Sequence, residues 1–292
     1  MALKLLMLGL ALLQVPQNPS PMTDTTRPHP RIAEDVPRGE RVSIGVGTVF
    51  LRERIRPAAR LPLIVHFHGA PWLIEHQVAQ LKDDAALVTV QLGAGSAVYA
   101  KPFVDGGAFA SLVADAAALV TSRFGREVTF DPVVLTSWSA GYGAIRAILR
   151  QPEHYARVSS VVLLDSMHAS YEGTVTAGPR SVDPSVVASD IDVFSKFAAD
   201  ATAGRKRFLV LHSEVFLGTY ASTTETADAL LKSAGLKRKP ALKQGPLGMQ
   251  QLSETTAGTL AVVGYAGNTA PDHTDHLYAL GAHIERWRML RR

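Results

Sequence analysis

The sequence predicts an α/β fold, with a mostly parallel central sheet, helices on both of its faces and room for a small cap insertion. Three observations carry this. Strand-like and helix-like segments alternate along most of the chain. The strand-like runs are apolar throughout rather than at every second position, so both faces of each strand are expected to be covered. And 292 residues, 47% of them hydrophobic, are enough for one large domain with a full core.

Residues 41–51 alternate apolar and small side chains around Gly45 and Gly47, the pattern of an opening strand or hairpin. Residues 63–67 read as a buried strand, 72–81 as a helix and 86–92 as a second strand. Phe109, Leu112, Val113, Ala116, Leu119 and Val120 fall at helical spacing, so an amphipathic helix is expected over 107–124. A strand over 132–138 follows, then a helix over 142–149 that stops before Pro152. Residues 158–164 and 208–212 read as strands, 224–234 as helix, 259–265 as the last strand and 276–290 as the closing helix. Two long insertions remain. Residues 169–205 are the candidate cap, and 237–258, rich in Gly, Pro, Lys and Gln, read as a surface loop.

Composition narrows the function classes. With no cysteine, disulfides, thiolate metal sites and a cysteine nucleophile are excluded. The net charge of +4 comes from scattered basic clusters such as Lys237-Arg238-Lys239, not from a stripe with interleaved aromatics, so no nucleic-acid partner is expected. At the N-terminus, Lys4 precedes an apolar run over 5–13, the outline of a secretory signal. Residues 1–20 are therefore expected to be signal-like and 21–40 a proline-rich linker, with the main domain over 41–292 and the mature chain exported. The run is too short to hold a mature chain in a bilayer, and no stable membrane insertion is expected.

The chemistry is concentrated at Val133-Val134-Leu135-Thr136-Ser137-Trp138-Ser139-Ala140-Gly141-Tyr142-Gly143. An apolar strand meets a serine on a tight turn, and small residues and a helix follow at once. This is the layout of a nucleophile elbow in an S-x-S-x-G form, with Ser137 where the usual motif has its first glycine. Ser139 is the candidate nucleophile. Ser137 precedes the turn and is expected to point away from the site.

Upstream, residues 61–67 form an apolar run that leads into His68-Gly69-Ala70-Pro71-Trp72, and downstream Asp272-His273-Thr274-Asp275-His276 follows the last apolar run. An elbow, an early His-Gly and a late histidine in that order resemble the α/β-hydrolase superfamily over residues 41–292. The resemblance implies a Ser-His-acid triad, no cofactor, no metal and a small-molecule or acyl substrate, a carboxylic ester by default. It implies a base in the loop after the last strand, which leaves His273 and His276. His276, directly ahead of the expected closing helix, is preferred. His29, His76, His154 and His283 lie in linker or helical contexts that suggest the surface. The acid is expected at a strand end, with Asp165 preferred, Glu214 as the alternative, and Asp272 or Asp275 behind them. The resemblance also implies an oxyanion hole from the backbone N–H groups of Ala140 and Ala70, since Pro71 has none to offer. His68 is implied to brace this loop, and Trp72 and Trp138 are the candidate pocket walls.

Two other chemistries fit the composition. His66, His68, His168, His212, His273 and His276 with Asp165, Glu214 and Asp272 could serve a metal-dependent hydrolase, although Gly69-Ala70-Pro71-Trp72 supplies no acid after the H-x-H pair. A non-catalytic binding protein on the same fold is the third reading.

Overall fold

The computed structural model describes residues 34–56, 58–173, 185–216 and 218–291. The signal-like segment and most of the proline-rich linker lie outside the described residues, as do residues 174–184 of the candidate cap.

The chain opens with a hairpin of β1 (Gly39–Ile44) and β2 (Gly47–Arg52), followed by β3 (Arg60–Phe67), α1 (Pro71–Ala79) and β4 (Ala86–Val90). Next come α2 (Ser96–Ala100), α3 (Gly106–Phe124), β5 (Thr129–Trp138), α4 (Tyr142–Leu149), α5 (Pro152–Arg157) and β6 (Val158–Leu164). Then α6 (Ala188–Thr202), β7 (Arg207–His212), α7 (Thr223–Ser233), β8 (Pro240–Gln244), β9 (Gln250–Ala257) and β10 (Leu260–Tyr265) lead to α8 (Ala270–Tyr278) and α9 (Leu280–Arg286). One ten-stranded sheet runs in the order β1-β2-β4-β3-β5-β6-β7-β10-β9-β8. The six strands β4, β3, β5, β6, β7 and β10 pair parallel with one another. Antiparallel pairs finish each side. This is an α/β fold with a mostly parallel central sheet.

The parallel strands are apolar at every position because successive side chains enter two different cores. Leu63, Val65 and Phe67 of β3, Val133 and Leu135 of β5, and Val161 and Leu163 of β6 join one core with helices α3 to α7. Ile64, Val134, Val162 and Leu164 join the other, against α1, α8 and α9. α3 is long and apolar enough to cross a membrane by length and composition, but its Phe109, Leu112, Val113, Ala116 and Val120 are buried in the first core.

Three expectations are corrected. Residues 237–258 are not a loop, since β8 and β9 extend the sheet there. The second half of the candidate cap is α6, which buries Ile191, Phe194, Phe197 and Ala198 in the core that faces the sheet. The closing helix begins six residues earlier than expected, at Ala270, and is broken at Ala279 into α8 and α9.

The parallel order reverses at β3. From there the chain steps outward to β4 and then returns to β5 on the other side. Where neighbouring connections diverge in this way, the carboxyl ends of the strands leave a crevice. The carboxyl ends of β3, β5 and β6 carry His68, Ser139 and Asp165.

Candidate active site

The elbow is built from close approach. Ser139 has φ 48°, a left-handed conformation that a non-glycine residue adopts at a cost of about 1–3 kcal/mol. The next turn can form only because Gly141 and Gly143 lack side chains. A Cβ on Gly141 would stand 2.1 Å from the Phe67 carbonyl oxygen, and one on Gly143 would stand 2.0 Å from the Ser96 carbonyl oxygen. Ser166 Oγ donates to the Ser139 carbonyl at 2.7 Å and bonds Ser137 Oγ at 2.9 Å, so the strained turn is tied to the end of β6. Ser137 is fully buried, on the far side of the turn.

Positive φ recurs at the neighbouring strand ends: 71° at His68, 43° at Asp165 and 93° at Met167. Backbone strain of this kind collects where a side chain must be aimed rather than packed.

Asp165 is buried and holds four hydrogen bonds. It accepts from Ser213 N at 2.9 Å, from Ser213 Oγ at 2.5 Å, from Thr223 Oγ1, and from His273 Nδ1 at 2.6 Å. Burial opposes its ionisation. The hydrogen bond and charge of His273, the charge of His276 and the Ser213 hydroxyl outweigh burial, and the carboxyl is held well below the usual carboxylate range. An ionised carboxylate only accepts, so His273 Nδ1 carries the proton and a neutral ring keeps its lone pair on Nε2.

The imidazole hydrogen-bonded to Asp165 is that of His273, not that of the preferred His276. Thr269 caps α8, with Pro271 in the first turn and Asp272 completing a capping box, which sets His273 in the first turn of the helix. His276 lies almost a turn further on and is fully buried, its ring edge-on to Tyr265 with centroids 5.5 Å apart. The capping signal Thr269-Ala270-Pro271-Asp272 is present in the sequence, and it fixes where α8 begins and so which histidine reaches Asp165.

Trp138 ties His273 to the elbow. Its indole Nε1 donates to the His273 carbonyl at 2.9 Å, and its ring meets the His273 imidazole with centroids 4.6 Å apart. His68 stacks on the same indole at 5.1 Å and 13°. Trp138 is thus a spacer between two imidazoles rather than a pocket wall. Trp72 packs against the second core instead of the cleft at Ser139.

The early loop is held by a short hydrogen-bond chain. Gly69 N donates to Gln91 Oε1 at 3.0 Å, which fixes the amide orientation, and Tyr99 OH donates to the same oxygen at 3.0 Å. The Tyr99 proton being spent, His68 Nδ1 must donate to the phenol oxygen across 2.9 Å. Burial, helped by the charge of His273, pushes the His68 pKa below its ordinary value. Ala70 sits at the N-terminus of α1 and packs with Trp72 against the second core.

A cleft of about 520 Å³ opens at Ser139 and Ala140, and His68, Tyr142, His168 and Tyr220 lie on its walls. That is within the range of roughly 300–1,000 Å³ typical of small-molecule sites. Glu214, the alternative acid, lines a separate cavity of about 870 Å³ with Asp228 and Arg238. Asp272 is spent on the cap of α8, accepting from the backbone of Asn268 and Thr269.

The H-x-H pair does not present two imidazoles together. His66 Nε2 donates to the His68 carbonyl at 2.7 Å, and its Nδ1 accepts from Thr136 Oγ1 at 2.7 Å. Among the described residues no group of three or more His, Cys, Asp or Glu side chains is arranged to hold a metal ion. His154 and His283, expected at the surface, are buried.

No protein-family model and no curated protein sequence matches the chain. Among solved structures, it is similar to the enterochelin esterase of Shigella flexneri at 14% identity and a TM-score of 0.45, covering 89% of this chain and 60% of that one. It is also similar to esterase B of Lactobacillus Rhamnosis at 16% identity and a TM-score of 0.37, over 65% of this chain and 67% of that one. A structure described as an arylesterase aligns at 10% identity and a TM-score of 0.44, over 90% and 88% of the two chains.

Proposed function

We propose that this chain is a serine hydrolase that cleaves carboxylic esters through an acyl-enzyme intermediate, with Ser139, His273 and Asp165 as its triad. The observation that carries this reading is the 2.6 Å contact from His273 to Asp165, with the His273 carbonyl bonded by Trp138, the residue next to a strained Ser139 that opens into a cleft. Ser139 Oγ attacks the ester carbonyl while His273 Nε2 takes its proton. Asp165 keeps the imidazole in the tautomer that can accept and stabilises the imidazolium that forms. The Ala140 N–H, paired with that of Ala70, binds the developing oxyanion. His273 then returns the proton to the leaving alkoxide, and water cleaves the acyl-enzyme by the same route in reverse.

The test is labelling by a fluorophosphonate probe together with hydrolysis of p-nitrophenyl acetate, in the natural chain and in Ser139→Ala. Labelling and turnover that disappear in the variant and persist in the presence of a chelator are the expected result. Turnover retained by Ser139→Ala, or lost on chelation, would overturn the reading.

A further inference from the structure

The walls of the cleft at Ser139 differ from those of a site built for an alkyl chain. Among its described lining residues there is no Leu, Ile, Val, Met or Phe, and the apolar contribution comes from alanines and from rings. Three rings stand edge to face. His168 meets Tyr220 with centroids 4.9 Å apart at 83°, and Tyr142 with centroids 5.8 Å apart at 63°. His168 Nδ1 donates to the Ala221 carbonyl at 3.0 Å, so its Nε2 is left as an acceptor. Burial lowers its pKa, which favours that neutral, accepting form.

Beside the rings stands a matched donor and acceptor. Arg146 Nη1 bonds the Asp190 carbonyl at 3.3 Å and Oδ1 at 3.2 Å, while the guanidinium carbon lies 5.4 Å over the Tyr142 ring. Asp190 Oδ2 is anchored by Ser170 N at 2.8 Å. The pair brings a positive and a negative group together, with Asp190 held from two sides. Arg146 Nε and Nη2 make no hydrogen bond among the described residues, which leaves a guanidinium edge and carboxylate lone pairs on the same wall.

Resting on the esterase reading above, we infer that the ester this cleft takes is a short acyl group on a hydroxylated, carbohydrate-like ring. Neighbouring hydroxyls each offer a donor and an acceptor, which a guanidinium and a carboxylate side by side satisfy together. The C–H faces of such a ring pack on aromatic walls, and Tyr220, 40% exposed at the mouth, supplies one. Among the described lining residues a long alkyl chain finds no apolar wall. Such a lining does not supply the gain of roughly four-fold per methylene that a greasy tunnel gives.

The experiment compares kcat/KM for three substrates: a mono-acetylated methyl hexopyranoside, p-nitrophenyl acetate and p-nitrophenyl octanoate. Tyr220→Ala is measured beside the natural chain, and thermal melting confirms that the variant is folded. The expected result is that octanoate is cleaved no better than acetate. Tyr220→Ala is expected to lower kcat/KM for the acetylated hexoside about ten-fold more than for p-nitrophenyl acetate, chiefly through KM. If Ser139-dependent cleavage of p-nitrophenyl acetate is present but octanoate is preferred, or if Tyr220→Ala affects all three esters equally, this inference fails and the esterase reading stands. If no ester is cleaved, that reading fails and the inference with it.

Discussion

His273 donates its Nδ1 proton to Asp165 across 2.6 Å, joining the end of β6 to a helix turn 108 residues later in the chain. Both side chains are withdrawn from solvent, at 13% and 2% exposure, so little water competes for the bond. The pair also separates two histidines that the sequence offers side by side. His273→Ala is expected to lower kcat for p-nitrophenyl acetate by about 10⁴-fold or more. His276→Gln is expected to lower the melting temperature with far less effect on kcat. Steady-state kinetics and thermal melts on the two variants check this, and the opposite ranking would return the base to His276.

Asp165→Asn should keep the fold and reduce turnover by about 10⁴-fold, because an amide can hold the ring in the wrong tautomer. Glu214→Gln, in the separate cavity, should leave kcat within about two-fold. Comparing the two under saturating substrate separates the acid that meets the imidazole from the one that does not.

Thr223 and Ser213 hold Asp165 in its ionised form by hydrogen bonds from their hydroxyls. Hydrogen bonds to charged groups contribute about 1.5–3 kcal/mol each. Thr223→Val is therefore expected to lower stability by an amount in that range and to reduce kcat with little change in KM. Urea unfolding gives the first quantity and steady-state kinetics the second. A variant as stable as the natural chain would mean that the hydroxyl carries no part of the load.

Gly141→Ala and Gly143→Ala each drive a Cβ into a backbone oxygen at the elbow, at 2.1 and 2.0 Å. Neither neighbour is a flexible side chain that can move aside. Each substitution is expected to cost at least about 1–3 kcal/mol and to abolish fluorophosphonate labelling of whatever protein still folds. Soluble yield, melting temperature and labelling are the readouts.

Acid should unfold the protein through three histidines that fold neutral. Burial lowers His66, His212 and His283 to a pKa of about 3, against about 6.5 in an unfolded chain. Between those values the unfolded state binds the extra protons, so stability falls as the pH is lowered from about 6.5 towards about 3. By pH 5 each contributes a loss on the order of 2 kcal/mol, which together is comparable to the stability of a typical domain. Urea midpoints at pH 7 and pH 5 measure the effect. Unchanged midpoints would mean that these rings are not buried neutral.

The parallel strands and the elbow are legible in the sequence because burial on both faces makes every strand residue apolar, and a turn that tight demands small neighbours. β9 is not legible for the same physical reason in reverse. Its buried positions are Gln251, Ser253 and Thr255, polar side chains that read as loop. α6 carries an apolar stripe at Ile191, Phe194, Ala198 and Ala201, but local periodicity does not say whether a helix covers the sheet or the site. Which of His273 and His276 reaches Asp165 depends on where α8 begins, and Thr269-Ala270-Pro271-Asp272 states that in capping chemistry. The burial of His154 and His283 depends on distant partners, such as the Gly106 carbonyl 2.6 Å from His154 Nε2, which no local pattern encodes.

The outer strands of the sheet, β1 and β8, are its two open edges. β1 carries Glu40 and Arg41 at largely solvent-facing positions, and β8 is a short strand that opens with Pro240 and includes Lys243. A proline withholds an amide, and a charged side chain resists desolvation, so neither rim is a good template for a strand from another chain. Leu242, 77% exposed, is the one large apolar side chain on that rim. These rim residues lie at the ends of the sheet, away from the strands that carry the cleft, so they can be exchanged for solubility without touching the chemistry.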